Sequence, residues 1–86
     1  MQVWFTGHVQ GVGFRFTACQ IARGFEVCGQ VKNLSDGRVW LEVEGRETEV
    51  EAFFKEIQTQ MASYIKETEV KRNVAPRTLK GFTLAH

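Results

Sequence analysis

Residues 2–25, QVWFTGHVQGVGFRFTACQIARGF, contain two elements of different period joined by a glycine-rich loop. Alternation of side chains between two faces predicts a strand over about residues 2–7. From Phe14 the apolar spacing becomes that of one helix face, and Gly24 is placed to end the helix. The apolar positions of that face are Phe14, Ala18, Ile21, Ala22 and Phe25.

A hairpin follows this helix in the sequence. Alternation over residues 27–33 predicts a second strand that ends at Asn33. The pair Asp36-Gly37 is a strong hairpin-turn signal, so the chain is expected to reverse there. The returning strand begins at Val39 and is broken by Gly45.

The second half of the chain predicts another helix and further strands. Acidic residues from Glu47 onward favour a helix N-terminus. Residues 65–72 are polar but suit an edge strand with Val70 as the best core candidate, Pro76 lies in a predicted loop, and GFTLA (81–85) is a last short strand. The apolar face of the second helix is formed by Val50, Phe53, Phe54, Ile57 and Met61.

The resulting order, β-α-β-β-α-β, predicts an α+β, ferredoxin-like fold. In the usual arrangement for this order, two helices cover one face of a four-stranded, mostly antiparallel sheet. Eighty-six residues leave room for one core, so we expect a single domain over residues 1–86.

Composition and charge exclude several classes of function. Eleven Lys and Arg against ten Asp and Glu give a net charge of +1, which offers no general attraction for nucleic acid or an anionic membrane. No apolar run is long enough to span a bilayer and no signal-peptide pattern is present. The two cysteines, Cys19 and Cys28, lack a CxxC spacing, so neither a disulfide framework nor a zinc site is predicted. Two reduced thiols are expected, with one bridge between them as the alternative. No cofactor is expected. We expect a cytoplasmic monomer.

The topology brings the glycine loop and Asn33 to the same edge of the sheet. Strands of a β-α-β unit run parallel, so the loop after the first strand and Asn33 after the second lie at one edge. Gly11 and Gly13 can adopt positive φ and turn backbone N–H groups inward, and Arg15 adds a permanent charge. Each feature alone has an ordinary alternative: a packing turn, a solvated arginine and a turn-forming asparagine.

These residues resemble the acylphosphatases. The motif VQGVGFR (9–15) follows the first strand, and Gly29-x-Val31-x-Asn33 and Asp36-Gly37-x-Val39 follow in the expected order. The likeness spans nearly the whole chain and includes Gly81-Phe82. One departure is MASYIKE (61–67), which stands where the family often has Gly-Pro. The resemblance therefore does not predict how the chain enters the following strand.

The resemblance implies metal-independent hydrolysis of acyl phosphates to a carboxylate and inorganic phosphate. It implies that Arg15 binds the phosphoryl oxygens and that Asn33 positions the attacking water. No residue in the sequence identifies the acyl group. The phosphate-binding loop implied by the family comprises Gln10, Gly11, Val12, Gly13, Phe14 and Arg15.

The motif has three other interpretations. A hydrogenase-maturation carbamoyltransferase carries a similar domain, but there proline typically follows the arginine, whereas Phe16 follows it here. An RNA-binding module would carry its aromatic stripe on the third strand and the open sheet face, whereas VGFRF follows the first strand. By strand parity Trp4 and Trp40 fall on the open face, where partner contact or partial burial is the ordinary interpretation. A binding domain that keeps the fold without activity is the third alternative.

Overall fold

A computed structural model describes residues 1–72 and 79–85, so the predicted loop at Pro76 lies outside the described residues. The described part contains two helices and five strands. Neither described helix is long and apolar enough to cross a membrane. In chain order the elements are β1 (Gln2–Gly7), α1 (Phe14–Ala22), β2 (Val27–Asn33), β3 (Val39–Gly45), α2 (Glu47–Gln60), β4 (Ile65–Lys71) and β5 (Phe82–Ala85).

The sheet confirms the predicted α+β architecture but has five strands, so the predicted count of four is wrong. The strand order is β4-β1-β3-β2-β5. The first three neighbouring pairs are antiparallel, and only β2 and β5 pair in parallel. Since β1 and β2 are both antiparallel to β3, they run in the same direction, and their C-terminal ends lie at one edge as expected.

The core lies between the two helices and one face of the sheet. Alternate residues of the three central strands are buried against α1 and α2, which also contact each other. Phe53 packs edge-on against Phe82 of β5, with ring centroids 5.2 Å apart. The fully buried large side chains are Val3, Phe5, Val9, Val31, Val39, Leu41, Val43, Phe53 and Ile57.

The helix boundaries differ slightly from the prediction. Helix α1 ends at Ala22 rather than at Gly24, with Arg23 as its C-cap residue. Phe25, predicted on the helix face, therefore lies beyond the helix, where its ring packs 6.0 Å from that of Phe53. The path in place of the missing Gly-Pro is a single turn, closed by the backbone N–H groups of residues 64 and 65 donating to the carbonyl of Met61.

The open face of the sheet carries the second set of alternating side chains. Trp4 and Trp40 are cross-strand partners and are half-buried, and the Lys71 ammonium lies 5.6 Å from the Trp4 ring centroid. Glu42 is buried on this face and accepts hydrogen bonds from the side-chain amides of Gln2 and Gln30. The outward parity predicted for both tryptophans is confirmed.

Candidate active site

A cavity of about 160 Å³ lies at the sheet edge where β1 and β2 end. It is lined by residues of the loop after β1, the first turn of α1, the end of β2 and the end of β5. The crossover through α1 thus brings the two predicted site residues, Arg15 and Asn33, to one cavity. Its lining residues are Val9, Gly11, Gly13, Phe14, Arg15, Phe16, Asn33 and Leu84.

The loop has the backbone conformation that its glycines predict. Gly11 and Gly13 both have φ of 77°, in the left-handed region. A Cβ atom built on either residue would meet no atom within 4 Å, so positive φ, not space, requires glycine here. Successive residues of this kind can turn their N–H groups toward a common point, which is how a backbone concavity binds an anion.

Helix α1 adds unpaired donors at the same place. Gly13 is its N-cap residue and has no side chain to cap it, and its carbonyl accepts the first helical bond from the Thr17 N–H at 2.9 Å. The first turn contains no acidic side chain. Residues 13–16 line the cavity, so the unpaired N–H groups and the positive end of the helix dipole lie beside it, and no carboxylate within the turn neutralises them.

Arg15 is fixed by the far end of the chain. Its Nη1 donates a hydrogen bond of 2.8 Å to the carbonyl oxygen of Ala85 in β5. This contact uses one of the five guanidinium donors, which leaves others for a ligand. Among residues 1–72 and 79–85, no carboxylate forms an ion pair with Arg15. Its positive charge is therefore available to an anion in the cavity.

Asn33 ends β2 on the face that the helices cover. It shares this face with buried Val31, as strand parity predicts, and its strand partner is Val39. Within the described residues the Asn33 side-chain amide makes no hydrogen bond. An amide carries both donors and an acceptor, so this side chain can orient a small molecule such as water.

Gln10 joins the loop to the β2–β3 hairpin. Its Nε2 donates to the carbonyl of Leu34 at 2.7 Å and to that of Arg38 at 2.9 Å. The side-chain donors are thus directed at the hairpin that follows Asn33. Val12 packs against the core, and neither it nor Gln10 lines the cavity. For these two predicted loop residues, only backbone groups remain to serve a ligand.

Four residues of the site were absent from the sequence prediction. Val9, Phe16 and Leu84 line the cavity, and Ala85 supplies the carbonyl that accepts the hydrogen bond from Arg15. For Phe16 a signal existed, because an aromatic residue off the apolar face of α1 has no role in the core. The contacts of β5 carried no such signal, since they depend on a pairing between distant segments.

Cys19 offers no activated nucleophile beside this cavity. Burial raises the pKa of its thiol above the ordinary value, and the charges of Arg23 and Arg15 oppose the shift only in part. Both Cys19 and Cys28 are free thiols in the structure. In the described part of the chain, no cluster of three or more His, Cys, Asp or Glu side chains could hold a metal ion.

Comparison with known proteins identifies the family of this chain. The family model described as Acylphosphatase matches residues 1–84. The chain belongs to the acylphosphatase family. An acylphosphatase of Corynebacterium glutamicum is 38% identical over 80 residues, with 88% of this chain and 85% of that protein covered. One from Lactobacillus johnsonii is 39% identical over 77 residues, covering 87% of this chain and 82% of its own.

Solved structures extend the similarity to the fold. The crystal structure of an acylphosphatase from Bacillus subtilis superposes with a TM-score of 0.88 at 26% identity, covering 99% of this chain and 96% of that one. Full-length HypF, in a phosphate- and nucleotide-bound form, gives a TM-score of 0.89 at 39% identity. There the match covers 99% of this chain but 11% of HypF, so the acylphosphatase fold also occurs as a small part of a larger protein.

Proposed function

We propose that this chain hydrolyses acyl phosphates to a carboxylate and inorganic phosphate, with the phosphoryl group bound in the cavity beside Arg15. The observation that carries the proposal is the convergence, in one cavity, of two left-handed glycines, a helix N-terminus, Arg15 and Asn33. Family membership supports the same reaction. These groups match an anion with several oxygens, because the backbone supplies donors and the guanidinium fork supplies charge.

The phosphoryl group is held by the loop from Gln10 to Arg15. Backbone N–H groups around Gly11 and Gly13 and those of the first turn of α1 donate to its oxygens, and Arg15 binds them through donors not used by Ala85. Each charge-assisted hydrogen bond contributes about 1.5–3 kcal/mol. The donors are fixed before the substrate arrives, so they stabilise charge that develops on the equatorial oxygens without reorganisation.

Asn33 positions the attacking water. The water oxygen forms a bond to phosphorus while the bond to the bridging acyl oxygen breaks, and that electron pair leaves on the carboxylate. The water proton passes to a phosphate oxygen or to solvent. Since the leaving carboxylate has a pKa near about 4, like Asp and Glu, no general acid is needed. A loose transition state engages the water weakly, so positioning by an amide replaces a strong base.

The test is phosphate release from benzoyl phosphate, measured with and without EDTA. We expect turnover in both cases, since Arg15 and backbone N–H groups balance the phosphoryl charge in this proposal. Arg15→Ala should nearly abolish turnover, whereas Arg23→Ala, at the other end of the same helix, should leave it unchanged. Asn33→Ala should lower kcat by about 10²-fold or more, as for loss of one preorganised polar group.

Two outcomes would contradict the proposal. Wild-type kcat in Asn33→Ala, with the melting temperature unchanged, would refute the water-positioning role. Phosphate binding without release from any acyl phosphate would instead support the alternative of a binding domain without activity, an alternative that the similarity to a small part of HypF makes worth testing. An RNA-binding role has no support in the net charge of +1.

A further inference from the structure

Exposed apolar side chains gather at the mouth of the phosphate cavity. Across the described residues, three large hydrophobic side chains are exposed: Phe16 at 63%, Tyr64 at 37% and Leu84 at 36%. Two of these three, Phe16 and Leu84, line the same cavity as Arg15 and Asn33. They come from α1 and β5, so the pairing is produced by the tertiary fold and not by neighbouring positions in the chain.

Folding alone does not explain Phe16. The buried face of α1 is complete without it, since Phe14, Ala18, Ile21 and Ala22 fill that face. An aromatic ring left largely in water forgoes the stabilisation that burial would bring. An exposed apolar surface beside a polar cleft is typical of a ligand-binding site.

The two side chains are fixed relative to the phosphoryl position. Phe16 directly follows Arg15, and Leu84 directly precedes Ala85, whose carbonyl accepts the 2.8 Å hydrogen bond from the Arg15 guanidinium. This hydrogen bond therefore joins the guanidinium next to Phe16 to the strand that carries Leu84. Because Arg15, Phe16 and Leu84 line one cavity, a group attached to a phosphoryl group bound by Arg15 would lie close to both apolar side chains.

We propose that Phe16 and Leu84 form an apolar subsite for the acyl group, so that the chain prefers acyl phosphates with aromatic or bulky aliphatic acyl groups. This inference rests on the proposed function. Arg15 is the only charged residue that lines the cavity in the described part of the chain. No described acidic or second basic group at the cavity is placed to recognise a charged or strongly polar acyl group, and an apolar group gains from leaving water at this surface.

Hydrolysis of matched substrates tests the subsite. The ratio of kcat/KM for benzoyl phosphate to that for acetyl phosphate cancels differences in intrinsic reactivity when variants are compared with the wild type. We expect Phe16→Ala to lower this ratio about tenfold. This is the lower end of the effect that one small apolar group has on kcat/KM in a hydrophobic pocket, because the subsite is partly open. Phe16→Leu, which stays apolar, should retain most of the ratio. Tyr64→Ala, exposed but outside the cavity, should retain the wild-type ratio.

Leu84→Ala distinguishes two roles of Leu84: contact with the acyl group, and maintenance of the strand that positions Arg15. If Leu84 contacts the acyl group, the ratio falls; if it only maintains β5 and hence Arg15, both substrates lose kcat/KM equally. A ratio that stays within twofold of the wild type in both Phe16→Ala and Leu84→Ala would overturn the inference.

Binding of non-hydrolysable analogues distinguishes this inference from the proposed function. Titration calorimetry with benzoylphosphonate and acetylphosphonate measures the subsite without turnover. We expect wild-type protein to bind the benzoyl compound about tenfold more tightly, and Phe16→Ala to remove that difference. Selective binding without any acyl phosphate hydrolysis would refute the proposed function and leave the apolar subsite supported. Hydrolysis with equal affinity for the two analogues would refute the subsite alone.

Discussion

Replacing Gln10 by alanine removes the two hydrogen bonds that join the phosphate loop to the hairpin. The lost donors served the carbonyl oxygens of Leu34 and Arg38, at 2.7 and 2.9 Å. Both acceptors keep one backbone partner, since Leu34 also accepts from Gly37 and Arg38 also accepts from Leu34. No carbonyl is left unsatisfied, so each bond contributes its ordinary net of about 1 kcal/mol and the total loss is about 1–2 kcal/mol.

This loss should be visible as a lower melting temperature and a lower kcat. For a domain of this size 1 kcal/mol corresponds to about 4–8 °C, so Tm should fall by about 4–16 °C. The hairpin that Gln10 contacts begins directly after Asn33, so the spacing between the loop and the Asn33 amide, which positions water in the proposed mechanism, loses a constraint. Because misplacement by about 1 Å can cost about 10²-fold in rate, we expect kcat to fall by about 10- to 100-fold.

A second substitution and a matched control make this prediction sharp. Gln10→Glu has nearly the same shape, but a carboxylate cannot donate and would face two carbonyl oxygens, so it should be less stable than Gln10→Ala. Gln60→Ala removes an exposed glutamine that bonds Glu56 on the surface of α2, and should change Tm by no more than about 4 °C. Calorimetry and benzoyl phosphate kinetics measure both effects. A Gln10→Glu variant at least as stable as Gln10→Ala would refute the reasoning.

Three further measurements test the loop, the hairpin and the thiol. Gly13→Ala should cost about 1–2 kcal/mol in urea unfolding, because φ is 77° there, whereas Gly24→Ala, without positive φ, should not destabilise the protein; equal costs would contradict this. Hydrogen bonds from the Arg38 backbone N–H and then from its guanidinium lower the pKa of Asp36. The interaction therefore stabilises the fold at pH values above about 3.9, the pKa of Asp in an unfolded chain. This stabilisation is lost as the pH falls through the lower pKa of the folded state. Asp36→Asn should therefore show a shallower loss of stability below pH 4 in urea titrations. Burial raises the pKa of Cys19, so its alkylation by iodoacetamide should reach half-maximal rate at a pH above the ~8.5 of free cysteine, and a lower midpoint would contradict the placement.

Sequence patterns predicted the part of the fold that local chemistry controls. The change of period at Phe14 separates β1 from α1, and the Asp36-Gly37 pair produces the observed hairpin. Positive φ at Gly11 and Gly13 follows from residue type, because no other residue adopts it at so little cost. These features depend on a few neighbouring positions, which is why they could be predicted.

The remaining features depend on contacts between distant segments. The pairing of β5 with β2 joins residues about fifty positions apart, and the four residues of β5 carry too little alternation to specify a neighbour. The acceptors of the Gln10 side chain lie 24 and 28 positions away, so its role in joining loop and hairpin is absent from the motif itself. Gly24 does not adopt positive φ after α1, and the helix ends two residues before it, so the glycine located the helix end only to within two residues.

The position of Arg15 therefore depends on an element that the motif does not contain. Its guanidinium bonds a carbonyl 70 residues later, in a strand of four residues at one edge of the sheet. A catalytic donor contributes most when it is fixed before the substrate binds, so in the proposed mechanism the hydrogen bond from Arg15 to β5 contributes to preorganisation of the site. A short edge strand belongs to the part of a domain that opens most easily. In the proposed site, loosening of β5 thus releases Arg15 and the Leu84 side of the acyl subsite together, while the glycine loop and Asn33, which lie on the central strands, keep their places.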